Sequence, residues 1–520
     1  MAQQLFRRSA LSLRARPGRL VAAAGLAASL GAAASGALIN ASWTSAVSGT
    51  WSTASNWTPG VNAPNNGTPP GDTYHATINA TGANYTVTLN SAVTLDMLTL
   101  NSAFALISHT SGNFNPGAAS IQAGAYRLNG GNVTGGAWTV SGPGRFEVAA
   151  NSNNLIQNAM ISGDILADST SSRTRLAGTT RFDALRLQGS FASAGITGGY
   201  TLHDDIVAEG AGGSARLIEM NGSAGTFTIG ATGAVTHAAG VGGDLTIGAN
   251  QWFGGAMTLV NNGLIENNSG RTTSISAASF TNNGTLRLTS GTTSINAWSN
   301  SGTVEVSGGT LNLGAFDVTS GIGAWNRTGG VVNINGAINN AGNTFDLDNS
   351  TGSWTLNGGS ITGGTVNLNQ TAELLFGANS GNLLADVDVN GDLTLAVTSA
   401  RTRLSGAARF DTLRLQNNFA SVGVVGGYTL HDDIVAEGAA GSGRLIEMNG
   451  SNGTFTIGAT GAVTHAAGVG GDLTIGATQW FGGAMTLVNN GLIENNSGRT
   501  TTISAASFTN NGTLRLTSGT

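Results

Sequence analysis

Carboxylates beside a histidine are the residue types that move protons or hold a divalent cation, and the chain carries such a group twice. The two are His203-Asp204-Asp205 with Glu209 close behind, and His431-Asp432-Asp433 with Glu437. Asp204, Asp205, Asp432 and Asp433 are therefore the candidate catalytic residues. Acid–base work on a sugar acid also needs a basic partner. The chain has no Lys, which leaves Arg175, Arg186 and Arg216 as the basic residues near the first cluster. Against this stands the simpler reading of charged residues at solvated corners, which the sequence favours.

Three further groups invite the same question. Asp386-Val-Asp388-Val-Asn390-Gly391-Asp392 places oxygen ligands at alternate positions with a Gly for a turn, the first half of a calcium loop. The twelfth position, where a bidentate carboxylate belongs, is Val397, so an outward-facing strand with an Asn-Gly corner is the favoured reading. Trp43, Trp51 and Trp57 form an aromatic cluster whose faces suit sugar stacking, although plugging the open end of a repetitive fold is the commoner use. His237 and His465 lie in Val-Thr-His-Ala-Ala stretches and are expected on the outer face of strands.

The chain that must position these groups has 520 residues, 80 of them Gly, only 9% charged and none Cys. Without Cys there is no disulfide framework, no thiolate nucleophile and no Cys-based metal site; without Lys there is no Schiff base and no phosphate-loop lysine. No Gly-x-Ser-x-Gly elbow between strand and helix is present. No cofactor is implied. With 40% apolar residues and a net charge of −5, the composition also argues against disorder.

The first 37 residues differ from the rest. Arg7, Arg8, Arg14, Arg16 and Arg19 precede an apolar run from Leu20 to Leu30 and a small-residue stretch around Ala32 to Ala37, which predicts a signal peptide over residues 1–37. That segment holds five of the 22 Arg and no acidic residue, so the mature chain is acidic and a poor partner for nucleic acid.

Repetition is the main signal. Residues 173–292 recur as 401–520 at an offset of 228, with 106 of 120 positions identical. Fainter similarity (Tyr126 to Gly136 against Trp354 to Gly364) extends the unit upstream. The organisation read from this is a cap with first coils over 38–120, one unit over 121–348 and a second over 349–520. The second unit is expected to run on to about residue 576, since Thr520 is the counterpart of Thr292.

Within each unit Asn262-Gly263, Asn283-Gly284 and Ser301-Gly302 mark a beat of 18–21 residues. Each is followed by alternating apolar positions such as Leu286/Leu288, Val304/Val306 and Leu311/Leu313. Alternation is the period of a strand with one buried face, and Asn-Gly is expected to supply positive-φ corners. All seven Pro precede residue 144. Excluding Pro from the remainder fits strands that are hydrogen-bonded on both sides, as in a stack of coils. At about 20 residues per coil the mature chain gives roughly 24 coils and a rod of order 115 Å.

These coils, together with the segment Trp43 … Gly49-Thr-Trp51-Ser-Thr-Ala-Ser-Asn-Trp57-Thr-Pro59-Gly60, resemble the large exported bacterial repeat proteins that include autotransporter passenger regions and haemagglutinin-like adhesins. The resemblance implies an all-β, right-handed parallel β-helix displayed at the outer-membrane surface or beyond it, with a structural or adhesive role and no enzymatic activity. Its expected partners are extracellular glycans or other surface proteins. Membrane attachment would run only through a C-terminal barrel or anchor beyond Thr520, and near-identical units carry a tendency to self-associate. Clustered carboxylates are also where polysaccharide lyases and hydrolases of this fold work, which makes such an enzyme the alternative.

Overall fold

In the computed structural model, which describes residues 36–319 and 321–520, the chain winds into a parallel β-solenoid of about 21 turns. The expected leader over residues 1–37 falls almost wholly outside the described residues. Short strands alternate with corners, three to a turn, and each strand pairs in parallel with its equivalents in the adjacent turns. The exception is at the start, where Leu38–Trp43 runs antiparallel to Trp57–Thr58 through Trp43 and Trp57. Apart from one 3-10 turn at Ala54–Asn56, no helix occurs among the described residues.

The alternating positions point as their period requires. Leu286, Leu288, Val304, Val306, Leu311 and Leu313 are all buried, and Leu286 stacks on Val304 while Thr293 and Ile295 stack on Leu311 and Leu313. Every such side chain fills the space between turns, contributing about 1.5–3 kcal/mol by burial. Because each turn touches only its neighbours, stability accumulates turn by turn along a rod of about 100 Å, with no central globular core.

The expected 24 coils become about 21 because coil length varies. Phe280 stacks on Trp298 after a short coil, whereas Ile206 reaches Val235 and Phe227 reaches Leu259 only after much longer ones. The extra residues form corner loops. The short beat read from the sequence belongs to the plainest coils only.

The Asn-Gly corners also differ from expectation. Gly263, Gly284 and Gly302 are absent from the positive-φ positions. What demands glycine there is closeness: a Cβ on Gly284 would collide with the carbonyl oxygen of Gly263, and one on Gly302 with that of Gly284. The Asn preceding each pair points inward and forms an amide ladder. Asn261 Nδ2 donates to Asn282 Oδ1 (2.7 Å), Asn282 Nδ2 to Asn300 Oδ1 (2.7 Å), and Asn300 Nδ2 to the Ile322 carbonyl (2.8 Å). All three are fully buried, and each amide has its oxygen and at least one N–H bonded where water cannot reach.

The sequence repeat and the coil do not share a period. Strand Arg173–Ala177 belongs to an unbroken ladder whose tenth successor is Leu393–Leu395 and whose eleventh is Thr412–Leu415. Its sequence counterpart, Arg401–Ser405, lies in a different ladder, reached from Thr201–Leu202. With three faces to a turn, the span from one copy to the next thus makes ten turns and a third. The second copy is rotated by one face around the rod.

Candidate functional site

The strand Asp205–Ala208 and the corner before it carry the first carboxylate cluster, one turn beyond Arg181 and Arg186. The Asp204 carboxylate accepts Arg181 Nε at 2.9 and 3.0 Å, lies 2.9 Å from Nη2 and also accepts the Phe182 backbone N–H. Asp432 repeats this with Arg409 and Phe410. The bond to Asp204 holds the Arg181 guanidinium above its ordinary pKa. Glu209 accepts from Gln188 (2.8 Å) and pairs with Arg186, which also binds Asp164 (2.5 Å). Of the three carboxylates in the cluster, Asp205 alone has no side-chain hydrogen-bond or ion-pair partner among the described residues. Partial burial, then the charge of Asp204, raises its carboxyl pKa, and Asp433 behaves the same way.

Three arginines were the basic residues in question, and all are engaged. Arg175 donates to the carbonyls of Asn153 and Asn154, and Arg186 bridges Asp164 and Glu209. Arg216, fully buried, gives its N–H groups to six carbonyls: Leu187, Gln188, Glu209, Gly210, Gly212 and Ser214. A guanidinium saturated in this way staples loops and takes no proton. Beside His203 runs an open groove of about 580 Å³, bordered by Arg181 and the exposed Met160. The second copy has Asp386 and Asp388 at the positions of Asn158 and Met160, so the same cluster meets an acidic neighbour there.

The calcium-like residues span one short strand, Asp388–Asn390, and the corners on either side of it. Val387 and Val389 are buried while Asp388 and Asn390 face outward. Asp386 accepts the Ala407 N–H (2.9 Å), Asn390 Nδ2 donates to Asn367 (2.7 Å), Asp392 pairs with Arg414 (2.8 Å), and Asp388 sits opposite Arg409. Asp386 and Asp392 lie at the corners on either side of strand Asp388–Asn390, and each is already engaged by the next turn. Among the described residues no group of three or more His, Asp or Glu side chains is arranged to hold a metal.

Trp43, Trp51 and Trp57 are 1–4% exposed and pack edge to face, with ring centroids 5.1 and 4.7 Å apart. Their indole N–H groups donate to the Val47, Pro64 and Trp51 carbonyls. None presents a face to solvent, so they seal the first coils and are not a stacking platform for sugars.

No protein-family model, no curated protein and no solved structure matches the chain. Geometry alone therefore carries the functional argument.

His237 and His465 overturn their expected placement. Both are fully buried; His237 Nδ1 lies 2.9 Å from Thr273 Oγ1 and Nε2 2.9 Å from the Gly243 carbonyl, and burial lowers the imidazole pKa. The signal was present, since His237 shares strand parity with the inward Val235.

Sequence reasoning also missed Glu219 and Glu447. Glu219 is fully buried, accepting Ser193 Oγ (2.6 Å) and the backbone N–H groups of Gln251 (2.5 Å) and Trp252 (2.9 Å). It pins a corner loop on which Arg173 lies over the Trp252 ring, 4.2 Å from its centroid. Nothing in a lone Leu-Ile-Glu-Met run announces this, because the bonding partners are one Ser hydroxyl 26 residues away and backbone groups 32 and 33 residues away.

Proposed function

We propose that the chain is an exported, non-enzymatic structural or adhesive rod, of the kind that autotransporter passengers and haemagglutinin-like adhesins exemplify. The observation that carries this reading is the continuous parallel stack of about 21 turns, sealed at its start by three buried Trp. A stack of this kind gives length and a wide lateral surface. The Arg-rich leader supports export, and the outer columns of charge fit a stiffened surface: Asp164–Arg186–Glu209 and Glu266–Arg287–Glu305 cross successive turns.

The test has two arms. Full-length chain expressed in a bacterial host is expected to leave the cytoplasm with its leader removed, and deletion of residues 2–37 is expected to leave it inside; export without those residues would overturn the export reading. Purified rod is expected to leave polygalacturonate and other acidic polysaccharides uncleaved. Turnover that disappears with Asp205→Asn and Asp433→Asn would replace the rod with a glycan-active enzyme.

A further inference from the structure

We infer that the corner beside Phe104 is a docking groove for a neutral glycan chain, a placement that rests on the adhesive reading and assigns it a site. Strand Val93–His109 breaks register with Asn113–Leu128 between Leu100 and Leu106, and within that break Ala103 and Phe104 turn outward between the buried Ser102 and Ala105. Such breaks re-aim side chains. This one leaves Phe104 39% exposed, whereas the other aromatic rings of the N-terminal coils (Trp51, Trp57, Tyr74, Phe114, Tyr126, Trp138) are sealed inside.

Phe104 borders an open groove of about 530 Å³. The register places its lining on four successive turns: Tyr85 pairs with Ala105, Leu106 with Ala125, and Ala125 with Arg145. The groove therefore runs along the rod axis for about 14 Å, three stacking steps, which suits an extended polymer better than a compact metabolite. Tyr85, itself buried, forms part of the floor.

The lining fixes the chemistry of the occupant. Sugar rings present an apolar C–H face and a rim of hydroxyls, and here an aromatic ring and Pro143 adjoin Ser48, Asn84 and Thr86. No carboxylate lines the groove. Its one cation, Arg145, is already neutralised by Glu147 at 2.9 Å and Asp168 at 2.5 Å, so no uncompensated charge awaits an acidic polymer. An uncharged glycan matches this surface; a polyuronate does not.

The experiment titrates the full chain calorimetrically with cellohexaose, chitohexaose and laminarihexaose, with polygalacturonate alongside. At least one neutral hexasaccharide should bind. Phe104→Ala should weaken it about tenfold and Asn84→Ala several-fold, with melting temperature unchanged, as expected for lost stacking and one lost hydrogen bond. Binding that is equal in Phe104→Ala and the parent, binding of polygalacturonate alone, or no neutral binding at all would each overturn the groove. Retention on intact cells separates the two claims. If Phe104→Ala is retained like the parent, adhesion stands and the groove falls; if the parent binds hexasaccharide but no cell, the groove stands and adhesion falls.

Discussion

The copies at 173–292 and 401–520 share 106 of 120 residues and nearly all their internal contacts, yet they face different directions. Arg444 repeats the six carbonyl bonds of Arg216, and Glu447 repeats the Ser and backbone bonds of Glu219. The ladders nevertheless place the second copy a third of a turn around the rod. A strand here is thus defined by its neighbours one turn away and is indifferent to which face it occupies. That indifference is what lets the unit be duplicated without an integral number of turns.

The most severe way to break the comparison is to delete residues 173–400 in frame. Residue 172 then meets a near copy of its normal successor, and the chain should fold into a rod shorter by about 50 Å, half its length, as small-angle scattering would show. Aggregation or loss of β signal would mean that the face occupied does matter.

Next in size is the buried guanidinium. Arg216→Met strands several carbonyls in a dry interior and should cost about 3–5 kcal/mol, with Arg444→Met costing the same. Hydrogen exchange over residues 187–216 and 415–444 would read each copy separately, and unequal losses would show that position along the rod matters.

A smaller effect sharpens the comparison at the level of packing. Where the first copy has buried Ala194 and Ile196, the second has Val422 and Val424, a near-conserved total volume on one strand face. Ala194→Val and Ile196→Val should each destabilise by about 1 kcal/mol, and the double substitution by less than their sum. Denaturant midpoints for the four proteins test this, and simple additivity would contradict it.

The smallest effect is acid sensitivity. Burial lowers the pKa of His237 and His465, so each imidazole stays neutral in the folded chain at pH values where the unfolded chain is already protonated. Their contribution is full above about pH 6.5 and is lost as pH falls through the lowered folded value. His237→Gln should remove part of the fall in melting temperature between pH 7 and 5, and His465→Gln a similar part.

Much of the fold was legible in the sequence. Leu286/Leu288 and Val304/Val306 announced their buried face by alternation, and the absence of Pro after residue 143 announced a doubly bonded ladder. The candidate site was less legible. Asp204 looked like a free carboxylate because Arg181, which binds it, sits 23 residues earlier on the preceding turn. Arg216 and Glu219 were opaque because their partners, apart from the Ser193 hydroxyl on Glu219, are backbone atoms, which every residue type supplies alike. The rotation of the second copy was beyond reach for a related reason: it depends on the summed lengths of corner loops, and no residue encodes that sum. Asn154 and Asn382 show what persists where the copies have diverged. Each buried amide donates to two carbonyls and accepts one backbone N–H in the same geometry, although the residues around them have changed.

Electron cryomicroscopy of a rod carrying the same small folded tag in the corner loops after Gly240 and Gly468 tests the central claim most directly. The account predicts an elongated particle with tags about 50 Å apart along the axis and a third of a turn apart around it. Tags on the same side of the rod, or a compact particle, would contradict it.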